Sequence, residues 1–393
     1  MRIIVSIPFI LFSLVFGTIC AQTDLITDTT YYYDDGEHIK SIIGLTSGDS
    51  LKSGNADFFY ISGKLMQKGK YKSGKMSGRW TTFYPDGTLK RTSNYINGLK
   101  NGEVKSYHEN AKLKYAGFFE NDSLEGEMTL YYDSGIKKEV RNYHKNKLNG
   151  LTTGYFPNGN KNYEIMFSDS IKNGKYRRFY SSGNIQEDGF MKDESFYGDY
   201  KSYYDNGNIE KAYSYSNFDI EGPYLVYHDN GSLMIKAMYG HGRLQGGYSK
   251  FYKNGIPYES GIYKDGLREG LWTSFHNDST VYMKGRYLHG EAQGYWSVYF
   301  KNGILKQKGL FDKGLSQGLW KFYHKNGQLK IKGVYVDNKE DGHWVHFYEN
   351  GNVKLDLYYK MGKLNGLLTA YDKDGKILEQ AEYSDNKLIR KIK

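Results

Sequence analysis

Apolar and polar positions recur along this chain with a period of 24. The run G-L-W-K-F-Y-H-K-N-G-Q-L-K-I-K-G-V-Y-V-D-N-K-E-D begins at Gly318, and at Gly342 the pattern restarts as G-H-W-V-H-F-Y-E-N-G. Glycine stands at this interval fourteen times, from Gly54 to Gly366, with no insertion or deletion. A fixed period in this range is the signature of a repeat architecture. With each repeat counted from its glycine as position 1, position 6 is aromatic in all fourteen. Position 18 is aromatic in all but one, where Met191 stands, and position 12 is usually Leu, Ile or Val. Position 10 is Gly in twelve, the exceptions being Ala111 and Ser279.

Asn-Gly at positions 9 and 10 (Asn158-Gly159, Asn206-Gly207, Asn302-Gly303, Asn326-Gly327) lies between aromatic and β-branched runs, which is a strong hairpin signal. Each repeat therefore reads as two strands, over positions 2–7 and 11–18. Pro85-Asp86-Gly87 and Pro157-Asn158-Gly159 select the loop type. A two-residue turn would leave the proline in a strand, where it cannot donate a ladder bond. In a three-residue loop it pre-sets the first corner of a type I turn, and Gly takes the left-handed position. Position 6 then faces position 12. Strict alternation, with a second three-residue turn near positions 19–21, puts position 18 on that same face. Positions 3 and 7 fall on the opposite face. The predicted fold is all-β, an elongated array of 24-residue hairpins forming one continuous antiparallel meander sheet.

The ends differ from the array. Arg2 followed by the apolar run Ile3–Phe16 and G-T-I-C-A-Q reads as a signal peptide over residues 1–21, cleaved after Ala21. Cys20, the one cysteine, is the alternative as a lipid anchor, although Ile19 stands where such signals have a small residue. With cleavage after Ala21 the mature chain has no thiol and no further apolar run long enough for a membrane helix. Residues 22–53 read as a cap with an imperfect repeat around Tyr33-Asp34-Asp35-Gly36, residues 54–389 as the fourteen repeats, and 390–393 as a basic end. Position 21 is not glycine from Asp122 through Phe218, and Ser, Glu and Phe tolerate a left-handed corner poorly. The turns at 168–171, 192–195 and 216–219 are therefore expected to take another form.

Composition refines this picture. Gly (47) and Tyr (40) are abundant and Pro (5) is scarce, as suits a sheet punctuated by glycine turns. The net charge of +10 favours acidic partners, but interspersed charges mainly describe a solvated face. The pattern G-x-W-x-x-F-Y-x-N-G-x-L-x-x-x-G-x-Y, seen from Gly294 to Phe311 with Tyr299-Phe300 at the F-Y pair, resembles the MORN repeat in its bacterial, antitoxin-like variant. That resemblance covers residues 54–389. It implies a meander of hairpins, protein–protein or envelope-associated contacts, and no shared catalytic centre. A weaker similarity to choline- or wall-binding repeats founders on their shorter period.

Candidate chemistry is sparse. His108, His228, His276 and His324 share position 7. Hairpins about 10 Å apart keep the nearest two about 20 Å from one another, too far to share a metal. His343 and His346 fall on opposite faces of one strand. No nucleophile–base pair stands out, so no enzyme, metal or cofactor is expected. The expected function is an exported (periplasmic, cell-surface or extracellular) scaffold that binds a protein or cell-envelope component. The alternative is a cell-wall or polysaccharide binder. Export argues against nucleic acid. The candidate contact residues are Trp272, Trp296, Trp320 and Trp344, four successive position-3 residues on the less uniformly apolar face. Such rings suit a binding surface, or equally the covering of glycines on a neighbouring strand.

Overall fold

The computed structural model describes residues 25–32 and 36–393. The proposed export segment and Tyr33-Asp34-Asp35 lie outside the described residues. The described residues form 34 strands in an antiparallel meander and no helix, as the repeat pattern predicts. They fall into two compact units, one ending at Phe196 and the other starting at Tyr197.

The inner loop has the expected three residues. Tyr84 N–H donates to the Thr88 carbonyl (2.8 Å) and Gly87 N–H to the Tyr84 carbonyl (2.9 Å), enclosing Pro85-Asp86-Gly87. Position 10 is left-handed throughout this pattern, including at Ala111 (φ 63°) and Ser279 (φ 69°). Asn or Asp at position 9 accepts the N–H two residues on, as Asn206 does from Asn208 (3.0 Å). The asparagines do more than turn the chain. Asn206 and Asn350 donate to the position-8 carbonyls of the next loops, Asp229 (2.7 Å) and Lys373 (3.1 Å).

The faces differ from the expectation. Phe83 pairs with Leu89, but Thr82 pairs with Arg91, which leaves Lys90 as a bulge residue. The same slip follows the hairpin loop at Tyr299 and Tyr323. One extra residue inverts every side chain beyond it. Position 18 therefore joins position 3, and position 6 lies on the other side. The packed face is the one that carries the tryptophans.

The outer turn also differs. It has two residues, both with positive φ, as at Asn97 (51°) and Gly98 (87°), and Ile96 pairs directly with Leu99. This primed turn matches strand twist better than the three-residue turn expected. Asp169-Ser170 (49°, 70°), Asp193-Glu194 (50°, 68°) and Asn217-Phe218 (48°, 70°) adopt the same form, not a different one. Neighbouring turns impose it. Position-21 N–H groups donate to the preceding turn, Ser170 to Leu148 (2.7 Å) and Glu194 to Lys172 (3.1 Å). Side chains compensate in return. The Ser170 hydroxyl accepts from Leu148 N–H (3.0 Å) and the Glu194 carboxylate from Lys172 N–H (2.9 Å), which holds that carboxyl below its ordinary range.

The glycine that sets the period lies inside a strand. Leu99–Tyr107 runs through Gly102, where pairing slips by two residues, from Tyr95↔Lys100 to Ser93↔Val104. All fourteen position-1 glycines have positive φ, from 64° at Gly318 to 129° at Gly366. A Cβ there would oppose the bulge in every repeat.

Phe218 is exposed and its side chain cannot accept a hydrogen bond, so no side-chain bond offsets its left-handed backbone as one does at Ser170 and Glu194. Phe218→Gly should stabilise the chain by about 1–2 kcal/mol. Denaturant or thermal unfolding reads this, and an unchanged or lowered stability overturns the strain argument.

Candidate partner-binding faces

The structure brings Trp272, Trp296, Trp320 and Trp344 into one row and leaves them only 3%, 6%, 5% and 4% exposed. Each indole leans back over the bulge in the preceding strand. A Cβ added at Gly261, Gly285, Gly309 or Gly333 would clash with the ring of Trp272, Trp296, Trp320 or Trp344 respectively. Each indole N–H donates 3.2 Å to the carbonyl just past that glycine: Ile262, Arg286, Leu310 and Val334. Position-18 rings stand edge-on between the indoles. Phe311 lies 5.1 Å from Trp320 at 89°, and Tyr335 lies 5.0 Å from Trp344 at 83°. Edge-to-face contacts of this kind add stability beyond the area they bury.

This arrangement has a signature within the single sequence that strict alternation concealed. Every tryptophan follows a position-16 glycine by eleven residues, Trp80 after Gly69 included. Where position 16 is Arg141, position 3 shrinks to Thr152, and Arg141 instead bonds Glu139 (2.6 Å). Tyr163 also donates to Glu139 (2.6 Å), and burial pushes its hydroxyl up.

Position 7 links the inner loops. The hydroxyls of Tyr84 and Tyr348 donate to the carbonyls of Tyr107 and Tyr371 (2.8 Å each). His228 and His324 reach Phe251 and Phe347 in the same way (3.2 and 3.0 Å). The position-7 histidines thus stand where tyrosine otherwise does. Among the described residues no group of three or more His, Cys, Asp or Glu could hold a metal ion. His343 stacks on Tyr358 (4.8 Å) and bonds Asp356 (2.8 Å), while His346 lies on the other face, its pKa lowered by burial.

The face opposite the tryptophans is less occupied. In the unit from Tyr197 onward, positions 2 and 17 pair across strands, as Tyr295↔Leu310 and Leu319↔Val334. Tyr295 is 66% exposed and Leu319 49%. Position-15 lysines border them, with Lys308 Nζ 5.3 Å from the Tyr295 ring centre.

A family model described as "MORN repeat variant" matches residues 76–97, 100–121, 124–145, 172–193, 196–217, 220–241, 292–313, 316–337, 340–361 and 364–385, more than half of the chain. The chain belongs to the MORN repeat variant family. Each match runs from one outer turn to the next, so the MORN unit is cut at the primed turn and has the bulge glycine near its start. No curated protein matches the sequence. Solved structures similar to this MORN chain include a crystal structure of TcdB2-TccC3, at 11% identity and a TM-score of 0.16. It covers 93% of this chain and 22% of that one. A second, the same assembly without its hypervariable C-terminal region, has 12% identity and a TM-score of 0.17, with 92% and 22% covered. The chain spans less than a quarter of those chains.

Trp320→Ala should cost about 3–5 kcal/mol, as removal of a large buried ring does. Gly309→Ala should cost about 1–3 kcal/mol by displacing the same indole. Equilibrium unfolding measures both, and a cost under half a kcal/mol for either would remove the indole–glycine contact from the account.

Burial also raises tyrosine hydroxyls on this face, Tyr248 and Tyr176 to about 12, the latter helped by its bond to Glu187. Their folded pKa lies above the unfolded value near 10, so this stabilisation is complete below about pH 10 and lost as pH rises to about 12. Melting temperature should fall across that window, and less steeply in Tyr248→Phe.

Proposed function

We propose that this MORN repeat scaffold is exported, is not an enzyme, and binds a protein partner along one face of the unit from Tyr197 onward. The observation that carries this reading is the exposed apolar stripe at positions 2 and 17. Ile262, Leu271, Tyr295, Leu319, Tyr358 and Leu367 are 40–66% exposed on one face of a regular sheet. The centre of the stripe, Tyr295 opposite Leu310 and Leu319 opposite Val334, is apolar on both strands of two successive hairpins, as a contact site is. Arg286 and His343 stand opposite Leu271 and Tyr358. Lys284, Lys308 and Lys332 run beside it at position 15, each with its ammonium over an aromatic ring. The complementary partner is a protein with an apolar ridge and an acidic rim. The signal-like residues 1–21 support export, and membership of a repeat family supports a scaffold.

A second contact surface lies over the tryptophan row. A groove of about 240 Å³ above Trp296 and Trp320 is walled by Tyr287, Val298 and Phe311. It is the place where the row formed by Trp272, Trp296, Trp320 and Trp344 would meet a protein segment or a saccharide. At the tryptophan row the glycan reading rests on this groove alone, so for this face the protein reading is preferred.

Two double variants separate the surfaces in retention assays against an envelope-protein extract. Tyr295→Glu with Leu319→Glu should abolish retention of the bound protein while melting temperature stays within a few degrees. Retention that survives this variant overturns the stripe as the contact. Trp296→Leu with Trp320→Leu should lower melting temperature sharply, because it removes packing.

A further inference from the structure

A third surface is independent of both. At the inner-loop edge, a pocket of about 400 Å³ is bounded by three successive hairpins. His276 and Tyr282 come from the first, Phe300, Lys301 and Lys306 from the second, and Lys325 from the third. Tyr282 stands edge-on to His276 (5.0 Å, 64°), whose Nε2 bonds the Tyr299 carbonyl (3.4 Å). Lys306 Nζ lies over the Phe300 ring, 5.9 Å from its centre. The Asn302 amide donates to the Lys325 carbonyl (3.2 Å) and ties the second loop to the third.

The three lysine side chains are exposed and make no ion pair among the described residues. Asp278 stands in the loop before Lys301, its carboxyl held low mainly by Thr280 and to a lesser degree by the charge of Lys301. Three lysines and no carboxylate line the pocket itself, which makes it net positive. The basic run is bounded, since the next loop carries Glu349 in place of Lys325 and the preceding one Asn277 in place of Lys301.

We propose that this edge binds an acidic polysaccharide, a chain of sugar rings bearing carboxylates. Loops one hairpin apart are separated by about 10 Å, close to a disaccharide step, so alternate acidic groups meet Lys301 and Lys325 in turn. Tyr282 supplies an apolar wall for the sugar C–H groups, and the Asn302 amide and loop carbonyls meet hydroxyls. Single-stranded nucleic acid fits less well. Base binding needs an open ring face for stacking, and Lys306 covers that of Phe300.

The test is calorimetric titration of the full chain with tetragalacturonate, a neutral tetrasaccharide and a short oligothymidylate. Tetragalacturonate should bind, weaken with added salt, and lose roughly tenfold in affinity per lysine in Lys301→Ala and Lys325→Ala. Lys387→Ala, away from the pocket, should bind as the parent does, and circular dichroism should show an unchanged sheet in all variants. Absent binding, equal binding of the neutral sugar, tighter binding of the oligothymidylate, or variants that bind as the parent does would each overturn the proposal. These outcomes leave the partner stripe untouched, because neither Tyr295 nor Leu319 lines this pocket.

Discussion

An indole lying flat across a glycine of the neighbouring strand is the contact on which the rest of the packed face depends. Among the described residues every element is a strand, so no second layer of helices buries the apolar side of the sheet. Its aromatic rings must therefore find area within the sheet itself. The glycine at position 16 removes the Cβ that would hold the ring off, and the bulge at position 1 aims the ring backwards onto that gap. The exposed carbonyl past the glycine takes the indole N–H, so the ring is oriented as well as buried. The position-18 rings then fill the spaces between indoles, edge against face.

Three further ladders carry the same repeat-to-repeat logic through polar groups. Position 7 side chains bond the next inner loop, position 9 asparagines bond the next loop tip, and position 21 N–H groups bond the previous outer turn. Each links a repeat only to its neighbour, which is why a local departure stays local. Around Arg141 the ring-on-glycine contact is absent, and an Arg–Glu–Tyr cluster takes its place. Such a cluster satisfies its own polar groups, but buried charge is a weaker stabiliser than a packed ring.

This division of labour decides where function can reside. The tryptophan side spends most of its aromatic surface on packing, with one groove left open over Trp296 and Trp320. The opposite side keeps Tyr295, Leu319 and their neighbours exposed beside lysines, and the loop edge gathers Lys301, Lys306 and Lys325. Surface chemistry varies from repeat to repeat on those two regions while the bulge glycines and inner-loop turns stay constant. Repeat scaffolds recognise partners in this way, by holding a regular frame and varying the residues it displays.

The residues alone determined the 24-residue unit, the strand content and the three-residue inner loop, because proline fixes φ while glycine and asparagine accept positive φ, and neither effect needs a partner. They also carried the family, through a motif repeated often enough to be specific. The tertiary structure decided which aromatics share a face, because one bulge residue after the inner loop inverts the alternation and no propensity marks Lys90 as that residue. It decided as well that Ser170, Glu194 and Phe218 turn left-handed, since the flanking turns impose a conformation their own side chains resist. The tryptophan row was visible as a row in the sequence. That its rings lie on glycines was decided by the register of paired strands, which places residues eleven apart in contact through a slip that only the assembled sheet contains.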